Sequence, residues 1–270
     1  MPDKITLHEN RAIIEIKGEE RKKFLQGLVT NDVEKASSSN LIYAIMLSPQ
    51  GRFLYDFFIF ENEESLFLDC YLARRDEIIK KLNFYKLRSK VEIIKNDDFL
   101  VAQILESNND ELKKFPDPRS QNLGFRYYLK NSQKNNFIFS EISKYHFLRI
   151  SNKIAESELD LTYDKSFILE FGFDDLNAID YKKGCYVGQE LTARTHYRGE
   201  IRKKLFHAII DNINEIEKGC EVSDEEKEVG IVLSSIFYQE KLHALLLIRM
   251  ECNTIKNNLK ISKRNPCKLI

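Results

Sequence analysis

The apolar pattern predicts an α+β fold that ends in a small, strand-rich barrel or sandwich. Three observations carry that reading. Roughly the first hundred residues run βαββ, then βα with further strands, an order that requires strands distant in sequence to pair. Residues 53–60 place large apolar side chains on both alternating faces, as a strand covered on both sides does. Beyond Gly199, short strand-like runs recur with turns between them. The chain is therefore divided into residues 1–199 and residues 200–270.

Residues 5–16 read as one strand, with Ala12, Ile14 and Ile16 on one face, broken by Gly18. Glu19 and Glu20 stand where a helix N-terminus favours acids, and Phe24, Leu25 and Leu28 recur at helical spacing over 20–29. Residues 41–47 run into Ser48-Pro49-Gln50-Gly51, whose proline in second and glycine in fourth place suit a type I turn. Residues 53–60 return as the other arm of a hairpin. There Asp56 shares a face with Leu54, Phe58 and Phe60. A carboxylate on an apolar surface must find donors or take up a proton. Asp56 either lines a pocket, caps a loop or pairs with an arginine such as Arg52.

A strand over 66–71, an amphipathic helix over 74–88 with a basic outer face, and strands over 91–94 and 99–105 follow. The polar run 107–110 and Phe115-Pro116-Asp117-Pro118-Arg119 mark a break, before a strand over 123–129. Residues 141–151 read as a helix with Ile142, Tyr145 and Ile150 inward. In 167–173 a second acid, Glu170, interrupts an apolar run; it either lines a pocket or binds backbone amides at a turn. Strands are expected over 204–210, 219–223, 229–235 and 242–249.

Hydrophobic residues at 43% and charged residues at 31% belong to a globular chain, and 42 basic residues balance 42 acidic ones. No global field draws the protein to nucleic acid or an anionic membrane. The basic run Arg194, Arg198, Arg202, Lys203, Lys204 reads as a solvated face, so RNA contact is not expected. No apolar window approaches the roughly 18 to 20 residues that span a bilayer, so no stable membrane association is expected. Residues 1–10 lack the features of a signal or transit peptide, which predicts a cytoplasmic protein. Cys70, Cys185, Cys220, Cys252 and Cys267 are odd in number and scattered, as in a reducing compartment.

The densest chemistry lies in Lys182-Lys183-Gly184-Cys185-Tyr186-Val187-Gly188-Gln189-Glu190. Gly184 and Gly188 bracket the cysteine and allow the backbone to approach a ligand. Two cations upstream would favour the thiolate if their side chains converge on it. His196 as a base for this thiol is disfavoured, because it lies in an arginine-rich stretch.

Residues 183–190 resemble the K-G-C-[FY]-x-G-Q-E signature of the YgfZ-type folate-binding proteins, relatives of the glycine-cleavage T-protein that assist iron–sulfur cluster assembly. Phe24-Leu25-Gln26-Gly27-Leu28-Val29-Thr30-Asn31-Asp32 is similar to the family's F-L-Q-G-x-x-T-N-D block. Residues 48–56 are similar to its P-x-G-[RK]-x-x-x-D hairpin, and Asp117-Pro118-Arg119 with Leu123-Gly124-Phe125-Arg126 to its D-P-R…L-G-x-R stretch. The blocks occur in the family's order over nearly the whole chain.

The resemblance implies a T-protein-like folate-binding domain holding tetrahydrofolate in a central cavity, with a small C-terminal β-barrel closing one side. It matches Asp56 and Glu170 to carboxylates that engage the pterin, and adds Gly184, Gln189 and Glu190 to the cofactor site. Cys185 becomes the working thiol, with Lys183 tuning it or holding an anion, and Gln189 with Glu190 fixing the loop. The implied function is an accessory protein for assembly or repair of iron–sulfur enzymes, chiefly those with [4Fe–4S] clusters, with indirect effects on tRNA modification. Its partners would be folate and the assembly machinery or client enzymes. The alternative is a folate-dependent one-carbon (aminomethyl) transferase. Against that alternative, the chain is shorter than a typical T-protein and carries a cysteine signature T-proteins lack.

Overall fold

The strand expected over 5–16 is two strands, β1 (Lys4–Leu7) and β2 (Arg11–Lys17). A turn closed by the Arg11 amide donating to the His8 carbonyl at 2.9 Å separates them and sends them into different sheets. The polar run His8-Glu9-Asn10, with Glu9 exposed and Asn10 half-buried, is the local sign of this turn between two largely buried strands. This computed structural model describes residues 4–106, 112–211, 213–224, 227–250, 259–262 and 265–270; the predicted break at 107–110 and Cys252 lie outside them.

A short helix α1 (Arg21–Gln26) leads to β3 (Ile42–Leu47), β4 (Phe53–Asn62) and β5 (Ser65–Tyr71). Helix α2 (Arg75–Lys86) and β6 (Glu92–Asn96) follow. The first sheet has the order β3-β4-β5-β2-β6 and is antiparallel throughout. The predicted turn forms, with the Gly51 amide donating to the Ser48 carbonyl at 2.8 Å. One detail differs from the expected alternation. Pairing slips between Met46↔Tyr55 and Leu47↔Phe53. This bulge turns Leu54 away from Phe58 and Phe60, so Leu54 packs with the cluster under α1 and α2 instead.

The second sheet is built from β7 (Phe99–Ile104), β8 (Phe115–Pro116), β9 (Phe125–Lys130) and β10 (Ile138–Phe139) together with β1, in the order β10-β1-β7-β9-β8. Helix α3 (Ser143–Ser151), with Tyr145 and Ile150 buried, and the single turn α4 (Ser157–Asp160) come next. Helix α5 (Gln189–Arg198) was not anticipated. Its signals are Gly188 ahead of it, Glu190 in the first turn and Arg198 in the last.

The chain ends in a closed barrel of β11 (Lys203–Ile210), β12 (Glu221–Asp224), β13 (Lys227–Tyr238), β14 (Lys241–Arg249), β15 (Leu259–Ile261) and β16 (Asn265–Leu269), in the order β11-β14-β13-β12-β15-β16. Closure removes the free edges a sheet of this size would expose. Phe147 of α3 stacks on Tyr238 at 4.5 Å, and Arg149 donates to Ser234 at 3.0 Å, which seats α3 on the barrel. A large apolar cluster joins the first sheet, α3 and the barrel residues Leu233, Leu245 and Leu247. Among the described residues no helix is long and apolar enough to cross a membrane.

Candidate functional site

Three of the blocks that stand apart in sequence meet at the Cys185 loop. Lys183 spends its ammonium on three carbonyls at the end of α1, donating to Gln26 and Val29 at 2.7 Å and to Asn31 at 2.8 Å. Thr30 and Asn31 donate to the Ala178 and Asn177 carbonyls, and the Val187 amide donates to Gly27. Residues 177–187 are thus stitched to residues 26–31. Gly188 has φ +82°, and a side chain there would come within 2.5 Å of the Ser48 carbonyl in the hairpin turn. Burial pulls the Lys183 ammonium down to about 8 against the upward pull of Asp32 and Asp180.

On this frame Cys185 is exposed and free. The expectation that Lys183 tunes it or holds an anion is revised by the geometry, since all three ammonium protons point at backbone oxygens. Gly184 brackets the cysteine differently from Gly188, because a side chain there would meet nothing within 4 Å. Gln189 does fix the loop: its Oε1 accepts from the Tyr186 amide at 3.3 Å. Glu190 does not: it is 89% exposed and, among the described residues, pairs with Arg194 of its own helix at 3.3 Å. His196 stacks on Tyr181 at 3.9 Å and lies 3.8 Å from Asp174. Among the described residues no hydrogen bond joins it to Cys185, and no three His, Cys, Asp or Glu side chains gather as a metal site.

The two interior carboxylates part company. Glu170 lies on a 3₁₀ turn ended by left-handed Gly172, and lines a cavity of about 600 Å³ with Phe167, Leu169, Leu191, Thr195 and Arg202. Lys203 at the start of the barrel sits 3.4 Å from it. A site of this size fits a small molecule. Asp56 does not line that cavity. It is buried and accepts from Arg11 through both oxygens at 3.1 Å, from Tyr43 at 3.2 Å and from Ser157 at 2.7 Å. The residues therefore fit a pterin at one carboxylate and not at the other.

Arg11 continues from Asp56 to Asp69, which accepts from its Nε at 2.7 Å, from Arg126 at 2.6 Å and from Tyr128 at 3.2 Å. Arg119 clamps Asp117 at 3.0 and 2.8 Å. The guanidinium groups of Arg126, Arg119 and Arg11 lie 3.7, 4.8 and 5.4 Å from the centre of the Phe58 ring. Burial opposes ionisation of Asp69, yet Arg11 and Arg126 hold it below the ordinary range; Arg119 does the same for Asp117. Of the alternatives open for Asp56, pairing with an arginine is the one found, but the partner is Arg11 of β2 and not Arg52. Arg52 instead donates to the Asp164 carbonyl at 3.1 Å.

No family model matches the chain. It is 34% identical over 219 residues to the mitochondrial iron–sulfur cluster assembly factor IBA57 homolog of Mycosarcoma maydis, covering 73% of this chain and 54% of that protein. It is 29% identical over 228 residues to mitochondrial IBA57 of Mus musculus, covering 73% and 64%. The chain thus spans less than two-thirds of the length of either relative. Among solved structures, the glycine cleavage system aminomethyltransferase T of Bartonella henselae superimposes with a TM-score of 0.78 at 11% identity, over 100% of this chain and 85% of that one. That likeness shows the fold, which is the T-protein-like architecture with a terminal barrel expected from the sequence blocks.

The relatives correct one expectation. They are mitochondrial proteins, which overturns the cytoplasmic prediction. Scattered thiols and balanced charge fit either compartment, so composition could not separate them.

Proposed function

We propose that this chain, homologous to iron–sulfur cluster assembly factors and folded like an aminomethyltransferase T, is an accessory protein for assembly or repair of iron–sulfur enzymes, chiefly those with [4Fe–4S] clusters. The observation that carries the reading is Cys185, an exposed free thiol on a loop pinned from below by Lys183 and Gly188. A rigid loop with a solvent-facing thiol suits brief contact with a partner's cluster or with iron. Clusters usually take about four thiolates, so the cluster is cargo shared with the assembly machinery or a client enzyme. Effects on tRNA modification follow indirectly, through clients, and direct RNA contact has no part.

Tetrahydrofolate, when bound, would supply a one-carbon carrier. Glu170 would accept from its ring N–H groups in the cavity beside the barrel, and Arg202 would face an acidic tail. Residues 1–199 then act as the folate-binding region and 200–270 as the barrel domain. The fold itself favours a second reading, a one-carbon (aminomethyl) transferase, but the engaged state of Asp56 opposes it.

The test is aconitase-type [4Fe–4S] activity in cells lacking this protein, complemented with the normal chain or with Cys185→Ala. Rescue by the normal chain alone supports the reading. Equal rescue by both chains removes Cys185 from the chemistry. Failure of both, with turnover of a methylene donor by the purified chain, moves the assignment to the transferase.

A further inference from the structure

We infer that Asp56 is a structural anchor and not a ligand group, so that folate recognition in this chain runs through Glu170. The inference about folate rests on the reading above; the part concerning Asp56 stands independently.

An ionised carboxylate offers about four acceptor positions. Asp56 fills them from within the protein, with two bonds to Arg11 at 3.1 Å, one to Tyr43 at 3.2 Å and one to Ser157 at 2.7 Å. Those donors come from three separate elements: β2, β3 and α4 converge on β4. Arg11 is equally committed, since its Nε and Nη2 go to the Asp69 carboxylate and carbonyl at 2.7 and 2.8 Å. A heterocyclic amine could reach Asp56 only by expelling Arg11, whose side chain is 2% exposed. The displaced guanidinium would be buried without its partner, and Asp69 would lose a donor with it. Arg11 also lies over the buried Phe58 ring, together with Arg119 and Arg126. By contrast Glu170 lines a cavity, with the Lys203 ammonium 3.4 Å from its carboxylate.

The ligand class that suits the remaining site has ring N–H donors for Glu170, an apolar body for Phe167, Leu169 and Leu191, and an anionic end for Arg202. One carboxylate reads such a ring less selectively than two. This predicts tolerance toward changes on the ring edge that faces away from Glu170.

The experiment titrates 5-formyl-tetrahydrofolate into the full chain and follows melting in parallel, for the normal protein, Asp56→Asn, Ser157→Ala and Glu170→Gln. Asp56→Asn should melt at least about 6 °C lower. Its affinity for the probe should stay within about threefold of normal, while Glu170→Gln loses about tenfold or more with unchanged melting. Asp56→Asn that melts normally but loses about tenfold in affinity overturns the inference. Should Asp56→Asn not fold, Ser157→Ala decides: near-normal affinity supports the anchor, and a tenfold loss overturns it. A normal chain that ignores the probe sinks the folate reading alone. Melting of Asp56→Asn then still decides the anchor, a lower value supporting it and an unchanged value overturning it.

Discussion

The buried centre and the Cys185 loop are both rich in charged and polar side chains, yet they answer their charges in opposite ways. In the centre, Arg11, Arg119 and Arg126 face Asp56, Asp69 and Asp117, and each carboxylate is bonded by side chains from within the protein. At the loop, Lys183 is absorbed by backbone carbonyls while Cys185, Glu190 and Arg194 face solvent. The lesson is that charge in an apolar stretch does not by itself mark a binding group. What separates the two cases is whether the protein supplies the partners.

The sharpest way to break the comparison is to remove a central anion. Asp69→Asn leaves Arg11 and Arg126 buried with one counter-ion fewer, and should cost about 3–5 kcal/mol by urea denaturation. A loss no larger than that of a surface substitution would show the centre to be wetter than its packing. Lys183→Met strands three carbonyls and should cost about 2 kcal/mol. That variant should also loosen the Cys185 loop, read as faster cleavage there by a protease. Gly188→Ala meets the hairpin turn at positive φ and should cost about 1–3 kcal/mol, whereas Gly184→Ala should stay within about 0.5 kcal/mol.

Acid should attack the centre and spare the loop. His8 is buried with neither ring nitrogen hydrogen-bonded, and burial with nearby Arg126 depresses it to about 3. Between the unfolded value of 6.5 and that folded value, the unfolded chain binds the extra proton. Stability should therefore fall as pH drops through this window, by about 1.4 kcal/mol per unit from this group. His8→Asn should flatten the slope of stability against pH there. Asp69 and Asp117, held low, lose their contribution only as pH falls through their depressed values. The smallest effect belongs to Glu190→Ala, about 0.3–0.5 kcal/mol at most, because its pair with Arg194 is exposed and within one helix.

Much of this was legible in sequence where local chemistry dictates local structure. The Ser48–Gly51 turn, the doubly covered strand β4 and the barrel strands beyond Gly199 follow from turn residues and alternation. The break at His8 had a mark in sequence, the polar run His8-Glu9-Asn10, which a reading of 5–16 as one strand passes over. The bulge that re-aims Leu54 was not legible, since a one-residue slip leaves no mark in an all-apolar run. Within the site, Asp56 and Glu170 stood out equally as acids in apolar stretches. Only the convergence of Arg11, Tyr43 and Ser157, up to 101 residues away in sequence, separates them. Lys183 was expected to act on its neighbour in sequence, but its three partners are carbonyls 152–157 residues upstream, which side-chain patterns do not reveal.

The contrast between a closed centre and an open loop is tested most directly by thiol alkylation of the native protein, mapped cysteine by cysteine with mass spectrometry. Cys185 is exposed, while burial covers Cys70 and Cys267 and raises their thiols to about 12 and about 11. Rapid labelling is expected at Cys185 without denaturant, and labelling of Cys70 and Cys267 only once the chain unfolds. A protected Cys185, or a Cys70 that labels as fast in the native state, would contradict that contrast.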